Sequence, residues 1–179
     1  TPGSATDNYE PTNPASTWDA LYYSLSDLQD LITAAEKEGA SQHKGIGQIL
    51  MAYQLGLVAD LWGSAPYSEA FGKVNTLQPK YDTEEELYNA QATLINEGLN
   101  NLALASTLPF TANSDLIHKN NIANWIKTGN ALKARLLNKI SKKSNYDPNA
   151  VLAAIDLSYT SNSDNANMAI FNGINPWSS

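Results

Sequence analysis

Apolar positions first fall into register at Ser16, where Trp18, Leu21, Tyr22, Leu25, Leu28, Ile32 and Ala35 recur at three- and four-residue steps. That spacing puts them on one face of a helix, and Gly39 supplies its stop. After Gly45 the pattern thickens: Ile46, Ile49, Leu50, Tyr53, Leu57 and Leu61 form one stripe, and Leu55, Val58 and Trp62 form a second beside it. Two apolar faces predict a central helix packed on both sides, ending at Gly63. Pro66 then forbids an immediate restart, because it lacks an amide donor and pushes Ala65 out of helical geometry. A long turn to about Tyr81 follows.

Thr83 and Glu86 have the spacing of a capping box, with acids in the first turn where the helix dipole is positive, ahead of Leu87, Leu94, Gly98 and Leu102. A loop holding Pro109 leads to a fourth helix with Trp125, Ile126, Gly129, Leu132, Leu136 and Ile140 on one side. Its basic end, Lys139 to Lys143, suits the negative pole of the dipole. Asp147-Pro148 reads as a cap followed by proline in the first helical position, opening a short helix with Val151, Leu152 and Ile155 on one face. No useful length shows strand alternation.

The expected fold class is therefore all-α, about five helices in tetratricopeptide-like antiparallel pairs that build an alpha-alpha superhelical scaffold. Gly47, Leu50, Ala52 and Leu55 recur in pattern at Gly129, Leu132, Ala134 and Leu137, and small residues there allow close helix approach. The interval is not the 34-residue tetratricopeptide period, so either loops are inserted or the echo is chance. Residues 1–15, rich in Pro, Thr, Ser and Asn around Tyr9, cannot bury enough to fold alone and read as an extended loop. Residues 16–179 read as one helical domain, cut from something longer.

Composition narrows the function. A net charge of −7, with no basic cluster beyond Lys139, Lys142 and Lys143, leaves no footprint for neutralising a phosphate backbone. The absence of cysteine removes thiolate nucleophiles and thiolate metal sites. No apolar run approaches the roughly 20 residues that span a bilayer. Polarity resides largely in Asn, Ser, Thr and Gln, and Tyr 9 and Trp 4 accompany it, a composition suited to neutral, hydroxyl-rich ligands.

Catalytic patterns are scarce. His43 and His118 are the two histidines, and no Gly-x-Ser-x-Gly elbow, Walker loop, complete dinucleotide turn or His-Glu-x-x-His accompanies them. Asn162, Asp164, Asn165 and Asn167 could offer oxygens to calcium, but without an EF-hand's glycine and terminal glutamate they read as a polar turn. Asp60 and Glu69, flanking the Gly63 to Pro66 turn, are the carboxylate pair to test for glycoside hydrolysis. No catalytic residue, metal ligand or cofactor is assigned. Aromatic rings remain: Trp62 and Trp125 fall in helical stripes and read as core, whereas Trp18, Tyr9, Tyr67 and Trp177 are freer to stack on sugar C–H faces.

Four blocks in order resemble one family. Gly47 to Tyr53 continues to Asp60-Leu61-Trp62-Gly63-Ser64-Ala65-Pro66-Tyr67-Ser68-Glu69-Ala70; Pro79-Lys80-Tyr81-Asp82 precedes an acidic helix; Trp125 to Arg135 includes Asn130, Leu132 and Arg135; and Ser163-Asp164-Asn165-Ala166 follows. These are similar to the motifs of the SusD/RagB family, with a departure at Gly129-Asn130, where a small residue and Asn more commonly follow a bulky aromatic. The resemblance implies a non-enzymatic, lipid-anchored lipoprotein at the cell surface of the outer membrane. It would capture oligosaccharides or polysaccharides for nutrient uptake and deliver them to a SusC-like TonB-dependent transporter. It adds no cofactor, leaves the charge argument against a nucleic-acid partner standing, and implies a longer protein of which this is the scaffold-bearing part. The matching motifs are mainly scaffold and locate no sugar. Two alternatives stay open: a helical-repeat module that binds a protein or peptide, and a glycoside hydrolase.

Overall fold

A computed structural model describes residues 15–112 and 114–168. Among these residues the architecture is helical, with α1 at Ala15–Lys37, α2 at Ser41–Trp62, α3 at Glu84–Ala103, α4 at Ile122–Lys139 and α5 at Pro148–Asp156. A single turn of 3₁₀ helix at Asn162–Asp164 follows. The only strand-like feature among the described residues is one antiparallel bridge between Ala65 and Asp82. Tyr9 and the loop expected at its position lie outside the described residues, as does Trp177.

Consecutive helices run antiparallel. Gln54 of α2 donates to the Ser24 hydroxyl of α1 at 2.7 Å, and Gly47 of α2 abuts Ile32 of α1, so one sequence rises as the other falls. The start of α2 meets the end of α3 at Gly45 and Gly98, while the end of α2 meets the start of α3 through the 2.9 Å bond from Tyr88 to Asp60. Lys133 of α4 bonds Asn96 of α3, and Gly129 abuts Leu99. The expected paired-helix architecture is present, with α2 at its centre touching α1, α3 and α4.

The face that α2 buries differs from the expected stripes. Tyr53 and Leu61 are 42% and 61% exposed, while Gly45, Ala52, Gly56 and Ala59 are buried with Ile49, Leu55 and Val58. Large side chains mark a stripe only where helices stand a side chain apart, and α2 and α3 are closer than that. α2 also begins at Ser41, so Gly45 lies inside the helix instead of before it. A Cβ at Gly45 would stand 2.8 Å from the Gly98 carbonyl oxygen and 2.8 Å from Leu102 Cγ. Gly45→Ala should therefore lower unfolding stability by about 1–3 kcal/mol, although alanine is the better helix former, because backbone on α3 must yield. Urea denaturation checks this, and unchanged or higher stability would contradict the close approach.

The other termini follow their sequence signals. Gly39 and Gly63 take positive φ at the ends of α1 and α2. Thr83 accepts from the Glu86 amide while the Glu86 carboxylate accepts from the Thr83 amide, the reciprocal capping box. Asp147 accepts from the Asn149 amide ahead of Pro148. In α5 the buried pair is Val151 and Ala154, and Leu152 and Ile155 are 57% and 47% exposed, contrary to their expected place on one face with Val151. Lys139 ends α4 as expected and also reaches across to Asp60 of α2.

Three aspartates organise the non-helical segments. Asp82 is almost wholly buried and accepts from the amides of Tyr67 and Ser68 at 2.8 and 2.7 Å and from the Ser68 hydroxyl at 2.6 Å. Asp115 accepts from the amides of Ile117, His118 and Asn120 and from the indole of buried Trp125 at 2.7 Å. Asp164 accepts from the amides of Thr160 and Ser161 and from Lys127. These bonds close the polar turn around Asn162 to Asn165, and no group of three or more His, Cys, Asp or Glu side chains that could hold a metal ion occurs among the described residues. At Asp82 and Asp115 burial alone would raise the carboxyl, yet the converging hydrogen bonds outweigh it and hold both below the usual range.

Candidate functional site

The turn between α2 and α3 is closed at its base and open at its tip. Ala65 and Asp82 exchange backbone hydrogen bonds at 3.1 and 3.0 Å, and Asp82 ties down Tyr67 and Ser68 just inside them. A second tie follows, as the Lys80 amide donates to Glu69 Oε2 at 3.0 Å. Between these ties the chain turns at Phe71 and Gly72, with φ of 57° and 72°. A left-handed conformation is costly for a residue as large as phenylalanine, so its ring must be held from outside. Tyr22 and Tyr67 hold it, stacked at 5.9 Å and edge-on at 6.4 Å between ring centroids.

The arrangement leaves a cleft of about 810 Å³ between this loop and the start of α1. Trp18, Tyr22, Phe71 and Tyr81 supply its rings, and Asn75, Thr76 and Gln78 supply uncharged hydrogen-bonding groups. Trp18 and Tyr22 lie one turn apart on α1, which stacks them at 4.4 Å with 23° between planes, and Trp62 braces Trp18 edge-on at 5.1 Å. The Tyr22 hydroxyl donates to the Pro66 carbonyl at 2.9 Å, fastening α1 to the loop. Burial pushes the Tyr22 and Tyr67 phenols up, Tyr67 to about 12, so both are neutral hydrogen-bonding groups at ordinary pH.

Of the aromatics singled out in the sequence, Trp18 lines the cleft. Tyr67 lies behind it, against Phe71 and beneath Lys73, whose Nζ stands 3.6 Å from the ring centroid. The Asp60 and Glu69 carboxylates do not share a cavity: Glu69 borders the aromatic cleft, whereas Asp60 has Tyr88, Arg135 and Lys139 around it. In the sequence Tyr22 falls in the apolar stripe of the first helix and Tyr81 in the Pro79-Lys80-Tyr81-Asp82 block, neither as a ligand ring, and Phe71 falls in no pattern. The i, i+4 pairing of Trp18 with Tyr22 at a helix start was the available signal for the first. Phe71 carries none, since its role depends on a turn conformation.

Residues 2–179 match the SusD-like family described as starch-binding and associating with the outer membrane. The chain belongs to this SusD-like family. Its fold aligns with a SusD/RagB family protein of Bacteroides thetaiotaomicron at a TM-score of 0.84 and 27% identity, over 92% of this chain and 36% of that one. A SusD homolog from Bacteroides uniformis aligns at 0.68 and 27%, over 85% and 31%. A chitin-binding protein aligns at 0.73 and 26%, over 88% and 35%. The SusD-like chain thus spans about a third of the length of these structures. No curated protein sequence matches it. The motifs that resembled the family occupy joints of the scaffold: Asp82 closes the cleft loop, Trp125 is core, and Asn130 bonds the Ile126 carbonyl within α4.

Proposed function

We propose that this SusD-like chain belongs to a surface glycan-capture protein and that the cleft beside Trp18 takes part in holding an oligosaccharide. The observation that supports this reading most is the set of rings bordering one open cleft with uncharged amide and hydroxyl groups beside them. Ring faces suit the C–H faces of pyranoses, and amides and hydroxyls suit their OH groups. Trp18, Tyr22, Phe71 and Tyr81 are the residues assigned to stacking. Tyr67 supports Phe71 from behind, and Tyr9 and Trp177 are kept as further candidates. The protein acts at the outer membrane through a lipid anchor, delivers its ligand to a SusC-like TonB-dependent transporter, and breaks no bond. The family description supports glycan binding and association with the outer membrane, and the chitin-binding structural relative supports a glycan ligand.

Titration calorimetry of the full-length protein with starch-type, plant and chitin oligosaccharides tests the reading, with the same mixtures assayed for new reducing ends. Saturable binding without cleavage is expected, and Trp18→Ala should weaken it roughly 3- to 10-fold, the worth of one stacking partner. Trp18→Phe, which keeps a ring against Tyr22, should recover part of the loss. Cleavage, or no binding by any glycan, would overturn the proposal.

A second reading rests on a different cavity. Leu31, Ile46, Leu50, Phe110 and Leu116 border an apolar groove of about 480 Å³, which suits an apolar peptide segment better than a sugar. Saturable binding of apolar peptides with silence from every glycan would favour it.

A further inference from the structure

We infer that the aromatic cleft is built to take neutral glycans and to reject anionic ones, and that Glu69 is the residue that sets this preference. The inference rests on the proposed glycan reading of the same cleft.

The loop carries two lysines, and neither borders the cleft. Lys73 is folded back over Tyr67, with Nζ donating to the Tyr67 carbonyl at 3.2 Å and lying against the ring face. Lys80 is not among the lining residues either, and it pairs with Asp82 at 3.1 Å and Glu86 at 3.2 Å. Both cations that could have met a uronate or a sulfate are thus committed to holding the loop. The one formally charged side chain among the described lining residues is Glu69. Its Oε2 accepts the Lys80 amide, and Oε1 has no partner among the described residues.

A glycan seated on the rings of Trp18 and Phe71 would therefore meet the Glu69 carboxylate directly and no cation among the described lining residues, Lys73, 5.8 Å from the Phe71 centroid, being held over Tyr67. A carboxylate or sulfate on the sugar would be repelled at short range. A neutral glycan can instead donate a hydroxyl to Oε1. The net charge of −7 on this chain adds a repulsion that is long-ranged and falls with salt. Glu69 is a specificity residue under this assignment, and stacking supplies affinity.

The experiment uses the full-length protein with maltohexaose, cellohexaose and chitohexaose, and with each oxidised at C6 to its carboxylate form. The readout is the ratio of the two affinities at fixed ionic strength, for wild type and for Glu69→Gln, which keeps an acceptor for the Lys80 amide. In wild type the neutral form should bind roughly five-fold more tightly or better, and in Glu69→Gln the ratio should fall toward one. Equal affinities in wild type would overturn the inference and leave glycan capture standing. A ratio unchanged in Glu69→Gln would assign the preference to overall charge and overturn the role of Glu69. Silence from all six probes would overturn the inference together with the reading beneath it.

Discussion

Asp82→Asn should abolish glycan binding and lower unfolding stability by about 2–4 kcal/mol, with the helical circular dichroism retained below the transition. The carboxylate collects two amides and a hydroxyl on one side of the loop and Lys80 on the other, almost without water. An amide side chain can satisfy part of that set but presents an N–H₂ group to donors, and it loses the charge that pairs with Lys80. Because the same bonds keep Tyr67, and through it Phe71, in place, the cleft should disorder before the helices do. Ser68→Ala, which removes one of the bonds, should cost less. The acid limb has the matching sign: the folded Asp82 carboxyl lies below its unfolded value of 3.8, so its contribution is present above that pH and is lost as pH falls through the folded value. Wild-type binding in the asparagine variant would show that the loop does not depend on this carboxylate.

Trp125→Ala should be the most damaging single change to the scaffold, at about 3–5 kcal/mol. The indole is 2% exposed, packs edge-on to His118 at 4.9 Å between centroids, and donates to Asp115. Truncation opens a cavity beside α2 and also deprives a carboxylate of a donor, so two costs add at one site. Trp125→Phe separates them, since it keeps most of the volume and loses the hydrogen bond; about half the loss is expected. Denaturant midpoints for the two variants check the order. An alanine variant within 1 kcal/mol of wild type would mean that the Asp115 loop rearranges to fill the space.

The helices were legible because their signals are local. Thr83 with Glu86, Asp147 with Pro148, and the glycines at 39 and 63 each act within a turn or two of themselves. The α2 and α3 contact was legible only in part, because small residues such as Gly45 and Gly56 matter through what lies opposite, and opposition is a tertiary fact. Family membership was readable for a similar reason: its motifs sit at joints where a few side chains must meet. The cleft was least legible. Trp18 stood out as an unassigned ring at a helix start, but Phe71 enters the site through a left-handed turn, and the absence of a cation among the described lining residues follows from the partners that hold Lys73 and Lys80. Neither is encoded in spacing.

The double tie at the base of the cleft loop makes its tip replaceable. Ala65 to Asp82 and Glu69 to Lys80 close the loop without using a side chain from Val74 to Gln78 in either bond. Lengthening such a closed loop costs little, about 0.6 kcal/mol for each doubling. Descendants of one scaffold can therefore exchange this short segment, and with it the amides and hydroxyl that Asn75, Thr76 and Gln78 offer the cleft, without re-solving how the helices pack.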